Sequence, residues 1–181
     1  MRQLFDMDKK NYNPDGKVFS RPSARAIVVK DQKVLLVYSK KYNYYKFPGG
    51  GIEKGESNEA ALIREVAEET GYQVIPDLIE EFGYVARKQA DSYDKDGIFL
   101  QENFYYLCEV EDTVRDIKLD DYEKEEGFTA VWEYPVKASQ INRESMDKYE
   151  DPDMVMRESK VLELVDAKLI KSHDLRCQDR M

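Results

Sequence analysis

Residues 50–72 read GGIEKGESNEAALIREVAEETGY, a stretch that begins with glycines and continues as one amphipathic helix. Ser57 is a favourable N-cap residue, Glu59 suits the positively charged first turn, and Gly71 is a typical helix stop. Together these signals predict a helix over residues 58–70 that follows a glycine-rich segment.

Three glutamates of the predicted helix fall on one arc when residues are placed at about 100° intervals: Glu65, Glu68 and Glu69. Like charges at this spacing destabilise a helix by only a few tenths of a kcal/mol per pair, so a solvated acidic face is one interpretation. The preceding residues 47–51, FPGGG, predict irregular backbone with accessible carbonyl oxygens. Carboxylate and carbonyl oxygens are the ligands that Mg²⁺ and Mn²⁺ prefer, so the pattern also indicates a divalent-cation site.

The same stretch resembles the motif of the Nudix hydrolase (MutT-like) family, whose pattern is G-x5-E-x7-R-E-U-x-E-E-x-G-U with U an aliphatic residue. The matching positions are Gly50, Glu56, Arg64, Glu65, Val66, Glu68, Glu69 and Gly71. Tyr72 departs from the pattern because an aliphatic residue is usual there, and we expect this change to affect packing rather than chemistry. The resemblance is specific over the motif and diffuse over about residues 23–140.

This resemblance implies an α/β (α+β) fold, the Nudix α/β/α sandwich with a mixed β-sheet. We expect a single Nudix hydrolase domain over residues 1–181, with a less defined N-terminal segment at 1–20 and a C-terminal helix at about 153–171. The implied activity is metal-dependent cleavage of the diphosphate linkage of a nucleoside diphosphate derivative by attack of water at phosphorus. The substrate would be a nucleotide, a nucleotide sugar or a dinucleoside polyphosphate.

By motif position, the resemblance implies that Mg²⁺ or Mn²⁺ is held by three carboxylates and one backbone carbonyl: Glu65, Glu68, Glu69 and Gly50. A cation there would offset the repulsion among the carboxylates and lower the pKa of the attacking water. One carboxylate would take the proton of that water, with Glu68 as first choice and Glu65 as a further catalytic candidate. Arg64 is expected to orient the glutamates by pairing with Glu68 and Glu56.

A second acidic stretch, residues 124–127 (KEEG), resembles the position of an additional metal-binding or catalytic glutamate in this family. Glu126 is the first choice there, ahead of Glu125. Residues 111–126 hold eight acidic against three basic residues, so a solvated acidic loop is the competing interpretation.

Outside the motif, two runs rich in β-branched residues, 24–29 and 34–38, predict a hairpin of buried strands. The intervening residues 30–33, KDQK, predict its turn. Further strands are predicted at 72–75, 79–86, 98–110 and 128–133.

Composition limits the class of protein. The 181 residues suit one domain, and 41% hydrophobic residues supply a core. A formal charge of −9 disfavours long nucleic acids and anionic membranes as partners and favours a cation-bridged small substrate.

Two cysteines and one histidine are too few for a disulfide framework or a zinc site. Two aspartates within the first ten residues argue against a secretory signal, so we expect a cytoplasmic protein, with homodimerisation left open.

Two other functions share the implied fold. One is a non-catalytic Nudix-fold module that senses a nucleotide without cleaving it, and the other is an isomerase of isoprenoid diphosphates. Sensing modules often lack motif glutamates, whereas all four are present here, so the sequence favours the hydrolase.

Overall fold

The computed structural model describes residues 1–94 and 96–170. In chain order its strands and α-helices are β1 Gln3–Asp8, β2 Val18–Ser20, β3 Ser23–Ile27, β4 Val29–Lys30, β5 Lys33–Ser39, β6 Tyr44–Lys46, β7 Gly49–Gly51, α1 Asn58–Thr70, β8 Tyr72–Ala90, β9 Ile98–Val114, α2 Asp121–Glu126, β10 Phe128–Glu133, α3 Pro135–Ser145 and α4 Pro152–Val165. A 3₁₀ turn, Met146–Lys148, precedes α4, and a π-helical turn, Asp166–Ile170, follows it.

The chain divides into two compact units, each with its own sheet. Within the described residues, the first unit combines residues 1–27 with 48–94 and 96–117, and the second combines residues 28–47 with 118–170. Mixed strand pairing and helices confirm the predicted α/β (α+β) class. A single domain over residues 1–181 stays a prediction.

The sheet of the first unit has the order β1-β8-β9-β3-β7, and β2 pairs with β9. The β3 pairing with β9 is parallel, whereas β8 with β9 and β3 with β7 are antiparallel. Helix α1 packs against β3, β7 and β8. Its apolar side chains Leu62 and Val66 are fully buried, as are Ala24 and Ala26 of β3. This packing holds the predicted acidic helix against the glycine strand β7.

Helix α1 has the predicted bounds, residues 58–70. The Ser57 hydroxyl accepts a hydrogen bond from the Ala60 N–H at 3.1 Å, which satisfies one donor of the first turn. Gly71 adopts a left-handed conformation with φ of 75° and ends the helix. Its N–H donates to the Ala67 carbonyl at 3.0 Å.

The sheet of the second unit is antiparallel, with the order β10-β5-β4 and with β6 paired to β5. A core cluster of this unit comprises Val37, Tyr44, Phe128 and Val155. Helices α3 and α4 pack against β6 and against each other. The Asn142 side-chain amide of α3 accepts a hydrogen bond from the Tyr45 N–H at 2.6 Å and donates one to the Tyr45 carbonyl at 2.8 Å. Both backbone polar groups of Tyr45 are thus satisfied, as they would be by a neighbouring strand.

The predicted hairpin of residues 24–29 with 34–38 is correct beside its turn at residues 30–33 and wrong for residues 24–27. Strand β3 pairs with β9 and β7, and only β4 forms a hairpin with β5 through the Val29–Val34 and Lys30–Lys33 pairs. The β-branched side chains fit any buried strand, whereas the choice of partner strand depends on long-range contacts. Sequence proximity therefore gave the wrong partner for β3.

The prediction of irregular backbone for the three glycines is also wrong, because residues 49–51 form strand β7. Gly49 has a φ of 140°, and a Cβ there would lie 2.7 Å from the Arg25 Cα, so the close approach to β3 requires glycine.

Other predicted bounds changed. The segments 72–75 and 79–86 are parts of one long strand, β8, whose pairing is irregular between Val74 and Ile79. The strand at 128–133 is confirmed, and the helix at 153–171 is present as α4 and the π-helical turn, with residue 171 outside the described residues. Strands β1, β2 and β6 and helices α2 and α3 lacked a prediction.

Across residues 1–94 and 96–170, the helices are too short or too polar to cross a membrane.

Candidate functional site

Arg64 of α1 forms ion pairs with three glutamates of the first unit. Its Nε and Nη2 donate to the two carboxylate oxygens of Glu56 at 3.0 Å each, a bidentate ion pair. Its Nη1 donates to Glu65 at 2.7 Å and to Glu68 at 3.3 Å. The guanidinium also donates to the Gly51 carbonyl of β7 at 3.1 Å. The predicted partners of Arg64, Glu56 and Glu68, therefore both contact it.

The bidentate pair changes the titration of Glu56. Hydrogen bonds from Arg64 and then from the Glu53 backbone N–H lower the pKa of Glu56 below its ordinary 4.5. The same pairing raises the pKa of Arg64, with Glu56 as the main cause. Glu56 thus keeps the loop before α1 folded back onto the helix.

We expect the Glu56→Gln variant to be less stable at pH 7 by about 1 kcal/mol, roughly 2–4 °C in Tm for a chain of this size. Because the pKa of Glu56 is lower in the folded state, its stabilisation is present above pH 4.5 and is lost as pH falls through the folded-state pKa. The Tm difference from wild type should therefore shrink below pH 4.5. Thermal melts at pH 7 and at lower pH measure both effects.

Glu53→Gln is the matched control, because Glu53 lies in the same loop with an exposed side chain. Its Tm should stay close to that of wild type at every pH. A Tm deficit of Glu56→Gln that persisted unchanged at low pH would show that the ion pair is not its source.

The three glutamates of the predicted acidic face differ in exposure. The Glu68 side chain is 41% exposed and that of Glu65 is 16% exposed. Glu69 is only 2% exposed, and its Oε2 accepts a hydrogen bond from the Gly49 N–H at 2.8 Å. Helical periodicity predicts that all three lie on one face. Because the last turn of α1 faces β7, Glu69 is buried.

Gly50 lies against the Glu65 carboxylate. A Cβ at Gly50 would overlap all three atoms of that carboxyl group, so only glycine lets the backbone and Glu65 come this close. The strand β7 and the carboxylates of α1 are therefore in direct contact, as a shared ligand set requires.

The residues of this cluster fit a divalent cation in donor chemistry. Their oxygens are carboxylate and carbonyl oxygens, the hard ligands of Mg²⁺ and Mn²⁺. The glycines of β7 bring the backbone close to these carboxylates. In the described part of the chain, the acidic side chains do not already form a group of three in ligating geometry. Arg64 instead holds Glu65 and Glu68 in ion pairs.

Glu126, the candidate outside the motif, belongs to the second unit. Its carboxylate accepts hydrogen bonds from the Ser39 hydroxyl at 3.0 Å and the Tyr44 hydroxyl at 2.9 Å. Burial, followed by the neighbouring Tyr149 and Glu126, raises the pKa of Tyr44, so this phenol stays a donor. Glu126 is 8% exposed and ends helix α2, so the solvated-loop interpretation is wrong for Glu126 itself. It holds for residues 115–118, which are exposed and outside helix and strand. Exposed Glu125 pairs with Lys41 at 2.6 Å.

Sequence reasoning made Arg25 a candidate phosphate contact or a surface charge, and did not predict its contact with the glycine strand. Arg25 of β3 is 8% exposed, and its Nη1 donates to the Gly49 carbonyl at 3.2 Å. A signal was available in the sequence, since Arg25 is a single charged residue within a run of apolar strand formers.

Comparisons with known proteins identify the family. The family model of the NUDIX domain matches residues 20–151. A solved structure, a NUDIX hydrolase from Nitrosomonas europaea, is similar with a TM-score of 0.50 and 25% identity. It covers 77% of this chain and 85% of its own.

Among characterised relatives, the ADP-ribose pyrophosphatase of Methanocaldococcus jannaschii is 39% identical over 69 residues, 36% of this chain and 39% of that protein. The RNA pyrophosphohydrolase of Nitratiruptor sp. is 37% identical over 87 residues, 42% of this chain and 47% of that protein. The chain thus spans less than half the length of these relatives. The family match itself covers most of the chain, and the protein belongs to the NUDIX family.

Proposed function

We propose that this protein is a divalent-cation-dependent hydrolase that cleaves the diphosphate linkage of a small nucleoside diphosphate derivative by attack of water at phosphorus. The observation that carries this proposal is the contact between the glycine strand and the acidic helix. Glu65 lies against Gly50, Glu69 binds the Gly49 N–H, and Arg64 bonds the Gly51 carbonyl.

The residues proposed to hold Mg²⁺ or Mn²⁺ are the three helix glutamates and one backbone carbonyl: Glu65, Glu68, Glu69 and Gly50. A cation bound there would offset carboxylate repulsion, attract phosphate oxygens to a protein of charge −9, and lower the pKa of a bound water. The oxygen donors and the glycine backbone support this assignment.

Within the proposed site, Glu68 takes the proton of the attacking water. Its side chain is the most exposed of the three glutamates, and its 3.3 Å contact with Arg64 is longer than the 2.7 Å contact of Glu65. A carboxylate that accepts a proton must be reachable by water, which favours Glu68 over buried Glu69. The Arg64 Nη1 bonds both Glu65 and Glu68 and so holds their carboxylates in place. Glu126 stays a candidate for a second catalytic or metal-binding glutamate.

The proposed substrate class is a small soluble nucleotide derivative. The relatives named above act on ADP-ribose and on RNA, so both are candidate substrates. The net charge of −9 disfavours the repeated phosphate contacts on which RNA binding depends, which favours the small substrate. Cytoplasmic location and homodimerisation stay predictions.

A product-release screen tests the proposal. Purified protein with Mg²⁺ or Mn²⁺ should hydrolyse at least one nucleoside triphosphate, ADP-ribose-like compound or dinucleoside polyphosphate. The Glu65→Gln/Glu68→Gln double variant should lose this activity, while Glu59→Gln on the exposed side of the first turn should keep it. Nucleotide binding without turnover would support the sensing module instead, and turnover confined to RNA would contradict the small-substrate assignment.

A further inference from the structure

Both polar groups of the Gly49 backbone are held by charged side chains of opposite sign. The Gly49 N–H donates to Glu69 of α1 at 2.8 Å, and the Gly49 carbonyl accepts from Arg25 of β3 at 3.2 Å. Glu69 and Arg25 are 2% and 8% exposed, so both bonds are largely shielded from water. Charge-assisted bonds in a low dielectric hold a peptide group more firmly than bonds to solvent do.

This arrangement suits the position of β7 at the edge of its sheet. An edge strand leaves every second N–H and carbonyl without a neighbouring strand. Here Arg25 bonds the Gly49 carbonyl and Arg64 bonds the Gly51 carbonyl, at 3.2 and 3.1 Å. Two guanidinium groups therefore hold the Gly49–Gly50 and Gly51–Ile52 peptides, which flank the Gly50–Gly51 peptide.

A small rotation of these peptides would change the candidate site. Gly50 is in contact with the Glu65 carboxylate, with no space for even a methyl group between them. The Gly49 carbonyl that Arg25 holds belongs to the peptide that joins Gly49 to Gly50, so this bond fixes the Gly50 nitrogen and, through it, the Gly50 Cα that lies against Glu65. Loss of the Arg25 bond would remove one of the bonds that hold this peptide in place.

We propose that Arg25 is a positioning residue of the candidate metal site, which fixes the Gly49 carbonyl and thereby holds the Gly50 backbone against Glu65. This inference rests on the proposed function for the identity of the ligand, a divalent cation. Arg25 acts through the backbone and does not itself touch the cation. Residues that orient metal ligands typically affect metal affinity by 10-fold to 100-fold.

Mn²⁺ binding, measured by the EPR signal of free Mn²⁺, tests the proposal without reference to activity. We expect Arg25→Gln to weaken Mn²⁺ binding by at least about 10-fold relative to wild type. Arg25→Lys keeps the charge but offers a single compact donor group, so it should weaken binding by at least about threefold. Circular dichroism and Tm show whether each variant is folded.

Arg87→Gln is the matched control. Arg87 is a 5% exposed arginine in the same sheet, on β8, and its Nη2 donates to Gln89 of its own strand at 3.0 Å. Its loss should leave Mn²⁺ affinity within about threefold of wild type. An equal loss of Mn²⁺ affinity in Arg87→Gln would show that the effect comes from general damage to the sheet. It would overturn the assignment of Arg25.

The remaining outcomes are also decisive. Wild-type Mn²⁺ affinity in Arg25→Gln overturns the role of Arg25 while leaving the proposed function intact. If Arg25→Gln does not fold, wild-type affinity in Arg25→Lys overturns it in the same way. Wild-type protein that binds no Mn²⁺ would overturn the metal site itself, and this assignment with it.

Discussion

Replacing Glu68 with glutamine is expected to lower kcat by at least about 100-fold, the scale typical of losing a general base or a metal-binding carboxylate. The amide neither accepts the proton of the attacking water nor carries the negative charge that a cation needs. The side chain is 41% exposed and keeps its shape in the variant, so the fold should be unaffected. Steady-state kinetics with saturating Mg²⁺ measures the effect.

Glu59→Gln is the control for this variant, because Glu59 is an exposed acid of the same helix outside the ligand set. Its kcat should stay within about threefold of wild type. Mn²⁺ titration then separates the two roles of Glu68: a fall in kcat with unchanged affinity indicates the base, and a fall in both indicates a ligand. Wild-type kcat in Glu68→Gln would exclude both roles.

The largest stability effect is expected from Arg157→Met in α4. The Arg157 Nη2 donates to the Glu158 Oε1 at 2.8 Å, and both side chains are fully buried. Glu158 also accepts the Phe47 N–H at 2.7 Å, which ties α4 to the end of β6. Removing the arginine leaves a buried carboxylate without its cation, so the variant should lose about 3–5 kcal/mol of unfolding free energy in urea denaturation.

Arg143→Met is the matched control for the buried pair. Arg143 of α3 pairs with Glu163 of α4 at 2.7 Å, with both side chains more than 40% exposed. An exposed pair contributes less, so this variant should lose at most about 1 kcal/mol. Equal losses in the two variants would mean that burial does not determine the contribution of Arg157.

The helix and the family were predictable because their signals are local. These signals are the Ser57 cap, the Gly71 stop and the spacing of the glutamates, and each depends on residues within one or two helical turns. Helix α1 accordingly has the predicted bounds. The same local pattern supplied the family assignment and the partners of Arg64. Strand pairing depends instead on contacts between distant residues, and so β3 was given the wrong partner.

The buried positions of Glu69 and Arg25 escaped prediction for a related reason. A helical wheel gives angles but no neighbours, so it did not reveal that β7 lies against the last turn of α1. Glycine strands have little intrinsic preference for a sheet, and β7 exists because β3 pairs with it. The carbonyl that Arg25 bonds could not be foreseen without that strand.

Hydrolysis in ¹⁸O-labelled water shows whether water attacks phosphorus in the reaction of this protein. The substrate is the nucleotide derivative turned over fastest in the screen, with Mg²⁺ present, and the products are separated and weighed by mass spectrometry. We expect one ¹⁸O atom in a phosphate group of a product, because water attacks phosphorus in the proposed reaction. Label found only in a sugar or base product would contradict it.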